Sequence, residues 1–189
     1  MLQRELVYWK ILEQAEQGKR NLTQLFLAKD LKCSLSTVNY AIRALVQMGA
    51  IRINQRSFDI SDGKKVLLLW ASIRNLQKDI IYRTRSNLSV SEMEKSMPGD
   101  VLFGAYSGYK LLHKQVPAEY SEVYVYSNNL DELQERFPKN ANPPNLYVLK
   151  KQMDKMTLTH IFVDVWNVKE WYAKEFLNAM EEKVYGLLA

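Results

Sequence analysis

A chain of 189 residues, 47% hydrophobic and 25% charged, holds material for one large domain or two small ones around a real core. Its longest apolar run, Val66 to Ala71, is too short to span a bilayer; no secretory signal pattern opens the chain, and one cysteine (Cys33) with two isolated histidines forms neither an internal disulfide nor a zinc site. The net charge of +5 is uneven: residues 1–79 carry 13 Lys/Arg against 7 Asp/Glu, whereas residues 80–189 carry 13 against 14, which points the first part at a polyanion.

In chain order, Leu2, Leu6, Trp9, Ile11 and Leu12 recur at helical spacing up to a stop at Gly18. Thr23 is a good N-cap for a second helix, with Leu22 and Leu27 spaced as a hydrophobic staple. After the turn at Cys33-Ser34, Ser34 caps a third helix that ends at Gly49. The alternating stretches 50–53 and 57–60 read as a hairpin with the polar, basic tip Asn54-Gln55-Arg56. Asp62 caps a fourth helix through Ile73, and a linker is expected from Asp79 to Ser91, with Ile80–Arg83 as an alternative strand.

The second part alternates. Helices are expected at 91–97, 104–114, 129–137 and 168–188, and strands at 123–126 and 146–149. The apolar run Thr159–Val165 fits either state.

The third helix carries the functional signal. Leu35, Val38, Ile42 and Leu45 fall on one arc, and Ser36, Asn39, Tyr40, Arg43 and Gln47 on another turned away from it. The second face offers hydroxyls, an amide, a phenol and a guanidinium, which hydrogen-bond base edges and phosphates. No acidic residue occurs from Ser34 up to Asp59. A helix, a turn, a helix with a polar acid-free face and a basic hairpin together suggest a winged helix-turn-helix. The third helix would then enter the major groove, and Arg52, Gln55 and Arg56 would lie along the wing. Lys19, Arg20, Lys29 and Lys32 are further phosphate-contact candidates, and symmetric operators call for a homodimer or two cooperative copies. A winged helix that docks only onto proteins is the competing reading.

LAKDLKCSLSTVNYAIRALVQMGAI resembles the winged helix-turn-helix of many bacterial and archaeal regulators, with Leu27-Ala28, Ser34, Val38, Leu45 and Gly49 in the usual places. The order LLLWA, FGAYSGYKLL, EVYVYSNN, NLYVLK and FVDVWNVKEWYAKEFLNAMEE is similar to the AbiEi-type antitoxin and transcriptional regulator family of type IV toxin–antitoxin systems. That resemblance implies operator binding and autorepression by the N-terminal domain, with Ser36, Thr37, Asn39, Tyr40, Arg43, Arg52 and Arg56 on the DNA. It also implies a C-terminal α/β domain needed for antitoxic activity, and a nucleotidyltransferase-like toxin as partner.

Catalysis finds little support in the residues. A nucleotidyltransferase core needs two close carboxylates to hold magnesium. The EVYVY strand offers Glu122, but Tyr124 stands two residues on, and Asp164 is the next acid in an apolar context. His113 and His160 are expected at the surface or at helix ends, and Tyr106, Tyr109, Tyr124 and Tyr126 in a small core with their hydroxyls at its rim. The expectation is therefore an α+β, cytoplasmic, non-enzymatic regulator that binds double-stranded DNA without metal or cofactor. Residues 1–79 would form the winged helix-turn-helix domain, and residues 80–189 a nucleotidyltransferase-like, non-catalytic α/β domain with a small mixed sheet. The alternative is a nucleotide-binding sensor or nucleotidyltransferase-like enzyme that uses the winged helix as a docking module.

Overall fold

Short polar side chains at the predicted cap positions start three helices of the first stretch. A computed structural model of the chain describes residues 1–189 and is α+β. Its elements run α1 (Gln3–Glu16), β1 (Asn21–Leu22), α2 (Gln24–Asp30), α3 (Leu35–Gln47), β2 (Ile51–Ile53), β3 (Phe58–Ile60) and α4 (Gly63–Ile73). Thr23 accepts from the Phe26 amide at 3.0 Å, Ser34 from Thr37 at 3.1 Å and Asp62 from Lys65 at 3.0 Å. Each such cap contributes about 1 kcal/mol. Gly49, at φ +68°, takes the left-handed position after α3 that L-residues resist.

By compactness the chain divides into Met1–Arg74 with Met180–Ala189, and Asn75–Ala179. The sequence reading put one boundary near residue 79 and left the chain's last residues with the second domain; the division instead returns Met180–Ala189 to the first unit. In that unit α1 packs on α3 and α4, and α2 on α3. The core comprises Val7, Ile11 and Leu12 of α1, Val38, Ile42 and Leu45 of α3, and Val66, Leu67 and Trp70 of α4. Leu35 is a correction to the expected core arc, because it lies in the first turn of α3 and is 51% exposed. A three-stranded antiparallel sheet of order β1-β3-β2 closes the unit.

The second unit continues with β4 (Ile80–Thr84), α5 (Val90–Lys95), β5 (Leu102–Phe103), α6 (Ala105–His113), β6 (Val123–Ser127), α7 (Leu130–Arg136), β7 (Leu146–Lys150), α8 (Leu158–Trp166) and α9 (Ala173–Leu188), whose residues from Met180 on count with the first unit. Its four strands form a mixed sheet of order β4-β7-β6-β5, with β6 and β7 parallel and the outer pairs antiparallel. Alternation sends Val123, Val125, Leu146 and Val148 to one core with Tyr82, Met93, Leu133 and Phe137. Tyr124 and Tyr126 face the other way. The run at 159–165 is helical, and α9 starts at Ala173 rather than Val168. No helix is long and apolar enough to cross a membrane.

Candidate nucleic-acid interface

Burying Val38, Ala41, Ile42 and Leu45 fixes which side of α3 faces out. The exposed side carries Ser36, Asn39, Tyr40, Arg43 and Gln47, with Tyr40 65% exposed. Arg43 Nε donates to Asn39 Oδ1 at 3.3 Å, and Asn39 Nδ2 to Gln24 Oε1 of α2 at 3.5 Å, which orients the guanidinium along the helix. Ser34 Oγ caps Thr37 and lies 2.7 Å from Ser36 Oγ and 2.8 Å from Thr37 Oγ1. Ser34 and Thr37 thus first hold the end of the helix. Together with Ser36 they gather three hydroxyls at a helix N-terminus, where the dipole favours an anion.

The hairpin is organised by a residue the sequence reading passed over. Asp59 of β3 accepts from Asn21 Nδ2 at 2.6 Å, from Asn54 Nδ2 at 2.9 Å and from Arg52 Nη2 at 3.2 Å. Those hydrogen bonds, from Asn21 first, hold its carboxyl below the usual carboxylate range. Arg52, although 75% exposed in its side chain, is therefore engaged, whereas Gln55 and Arg56 stand exposed at the tip. Lys19, Lys29 and Lys32 are exposed as well, and Arg20, half-buried, donates to the Ala189 carbonyl. Lys32 sits at φ +50° in the turn between α2 and α3. The Asn21–Asp59 contact spans 38 residues, so no local pattern announces it.

A second polar constellation lies within Asn75–Ala179. Tyr106 Oη donates to Glu170 Oε2 at 2.9 Å, Tyr124 Oη to Glu170 Oε1 at 3.1 Å, and Tyr172 Oη to Glu122. Burial and then the Glu170 charge push the Glu122 carboxyl above its usual range. Burial, followed by Glu170, likewise pushes the Tyr106 and Tyr124 phenols well up, so they remain donors. Tyr124 also stacks on Tyr147, with ring centres 4.7 Å apart. Sequence alone does not reveal Glu170 as the neighbour of Glu122, because it follows β6 by more than forty residues and lies in the irregular connection between α8 and α9.

His160 lies at a helix end, as expected, but not at the surface. It lies in the first turn of α8, wholly buried, with Nε2 3.2 Å from Tyr126 Oη and 3.6 Å from Asp164 Oδ1. His113 ends α6 as expected and packs on Tyr109. Tyr126 Oη donates to Asp164 at 2.7 Å. The turn before α6 is filled from within: a Cβ at Gly104 would lie 2.8 Å from Asp164 Oδ2, and one at Gly108 2.5 Å from the Phe103 carbonyl. Both glycines allow close packing, and the chain's own Asp164 carboxylate sits at that helix end. No group of three or more His, Cys, Asp and Glu side chains is placed to hold a metal ion.

Comparison with protein-family models, with curated proteins and with solved structures finds no match to this chain.

Proposed function

We propose that the protein is a sequence-specific double-stranded DNA-binding regulator whose first unit is a winged helix-turn-helix. The observation that carries this reading is the exposed face of α3, free of acidic residues and set beside a hairpin whose tip is basic. The order helix, short strand, two helices and hairpin, with the short strand pairing to the hairpin's second strand, supports the same reading. In it, Ser36, Asn39, Tyr40 and Arg43 face the major groove, Arg56 and Gln55 reach flanking backbone, and Lys19, Lys29 and Lys32 neutralise phosphates. Bound protein excludes polymerase. Autorepression as an AbiEi-type antitoxin, with a nucleotidyltransferase-like toxin as partner, is the specific form we propose on the sequence resemblance.

Fluorescence-anisotropy titration tests it, using the protein's own upstream DNA against a scrambled duplex. The upstream DNA is expected to bind on the order of a thousandfold tighter, with Arg43→Ala removing the preference. Equal, weak and salt-sensitive binding to both duplexes refutes it.

The paired Glu122 and Glu170 favour one other reading, a nucleotide-binding or nucleotidyltransferase-like second unit. A magnesium-dependent thermal shift with nucleoside triphosphate, lost in Glu122→Ala, would support it. The phenols that already donate to both carboxylates weigh against it.

A further inference from the structure

β4 ends the four-stranded sheet, with β7 as its single partner, so its outer edge presents backbone donors and acceptors that the sheet leaves unpaired. Natural sheets cover, shorten or twist away such edges. Here a groove of about 980 Å³ runs beside it, with Ile80–Arg83 on one wall and the Lys139–Pro144 loop on another. The loop is fastened in place rather than draped. Tyr82 Oη donates to the Phe137 carbonyl at 2.6 Å, and Thr84 Oγ1 donates to the Pro138 carbonyl at 2.8 Å while accepting from Asn140 N at 2.9 Å. Asn145 exchanges two hydrogen bonds with the Ser86 backbone, at 2.8 and 3.0 Å. These ties hold the groove open without an occupant, so little ordering cost falls on binding.

The lining chemistry selects the occupant. Gln77, Gln134, Asn140 and Asn142 supply amides that both donate and accept, as a peptide backbone requires. Arg83 and Lys139, both exposed, put positive charge on opposite walls, and no carboxylate lines the groove. Small-molecule sites are mostly apolar, unlike this one. Single-stranded nucleic acid needs exposed aromatic faces for stacking, and the single aromatic residue here, Tyr82, is buried with its hydroxyl engaged. We propose that the groove takes an extended, acidic peptide segment of a partner protein, which adds as a strand to the free edge of β4 and places carboxylates against Arg83 and Lys139. This site lies wholly within Asn75–Ala179 and does not depend on the DNA-binding reading.

The test uses the full chain, isotope-labelled, and three blocked octapeptides: one alternating glutamate with valine, one alternating lysine with valine, and the glutamate peptide N-methylated at alternate backbone nitrogens. The glutamate peptide is expected to shift the amide resonances of Ile80–Thr84 and Asn140–Asn142, and the other two are not. Arg83→Glu with Lys139→Glu, both on exposed side chains, should weaken that binding by at least about tenfold while leaving the rest of the spectrum unchanged. Equal binding of the N-methylated peptide would show charge attraction without strand addition, and would overturn the proposal. So would an absence of shifts, or tighter binding of a deoxythymidine octamer to the same residues.

Discussion

Asp59 sets the charge that the hairpin can present, and this gives the DNA-binding reading a numerical consequence. Of the six cations that reading assigns to phosphates, Arg52 is held by Asp59 and Arg20 by the Ala189 carbonyl. Lys19, Lys29, Lys32 and Arg56 remain, and at about −0.9 per phosphate they give a slope of log affinity against log salt near −3.6 for each bound copy. Between 50 and 200 mM salt, affinity should then fall ~150-fold. Asp59→Asn keeps an oxygen for Asn21 and removes the charge that holds Arg52. With Arg52 released onto a fifth phosphate the slope steepens to about −4.5, and the same change of salt costs ~500-fold. Fluorescence anisotropy at four or five salt concentrations measures both slopes, and an unchanged melting temperature shows that the hairpin is intact. A slope shallower than about −2 would mean that these cations do not meet DNA. An unchanged slope in Asp59→Asn would remove Arg52 from the interface.

Two other perturbations probe the scaffold. Glu5 accepts from Trp70 Nε1 and from Arg74 Nη1, each at 3.3 Å, and both members of the ion pair are buried. Glu5→Leu alone should cost about 3–5 kcal/mol in denaturant unfolding, and Glu5→Leu with Arg74→Met should recover most of it; a double variant no better than the single refutes the account. In the second unit, the raised Glu122 carboxyl means that ionising this group costs stability at neutral pH and that the cost disappears as pH falls through the carboxylate range. Glu122→Gln, whose carbonyl still accepts from Tyr172, should therefore raise the melting temperature at pH 7–8 and lose that advantage near pH 4; an equal effect at both pH values contradicts it.

What could be read in advance was the local chemistry. Caps at Thr23, Ser34 and Asp62 declare themselves because the hydroxyl or carboxylate and the amide it serves lie three residues apart. The polar face of α3 was legible for the same reason, since helical period places Ser36, Asn39, Tyr40 and Arg43 together without help from the rest of the fold. β1 and β5, two residues each, carry no periodic signal and exist through pairing with distant strands. β4 is hard to tell from linker in sequence because Ile80-Ile81-Tyr82 is an unbroken apolar run, although burial alternates along the strand. Thr159–Val165 was ambiguous because α8 is buried on nearly every side and so lacks an apolar stripe. That burial also carried His160 inward, against the usual preference of a lone histidine. The Glu122–Glu170 neighbourhood and the Asp59 cluster depend on contacts that only the tertiary fold creates.

The location of the acids explains why a modest excess of charge can still be directional. In the first unit Glu5 is spent on Arg74 and Trp70, Glu13 and Asp30 on Lys10, Asp62 on the cap of α4, and Asp59 on the hairpin. These five are tied to structural partners; with Glu16, Glu181 and Glu182 they make up the unit's acids, and none of the eight lies on α3 or at the hairpin tip. The cations at Lys19, Lys29, Lys32, Arg43 and Arg56 are paired with none of these five acids. An evenly mixed surface with the same net charge would produce a weak, isotropic field, because neighbouring opposite charges cancel within a Debye length of about 10 Å. With α3 and the hairpin tip free of carboxylates, the positive charge there adds rather than cancels. On the DNA-binding reading proposed above, a phosphate backbone approaching that surface would meet positive charge before any base is read. The hydroxyls, amides and phenol of α3 then have only the sequence to discriminate.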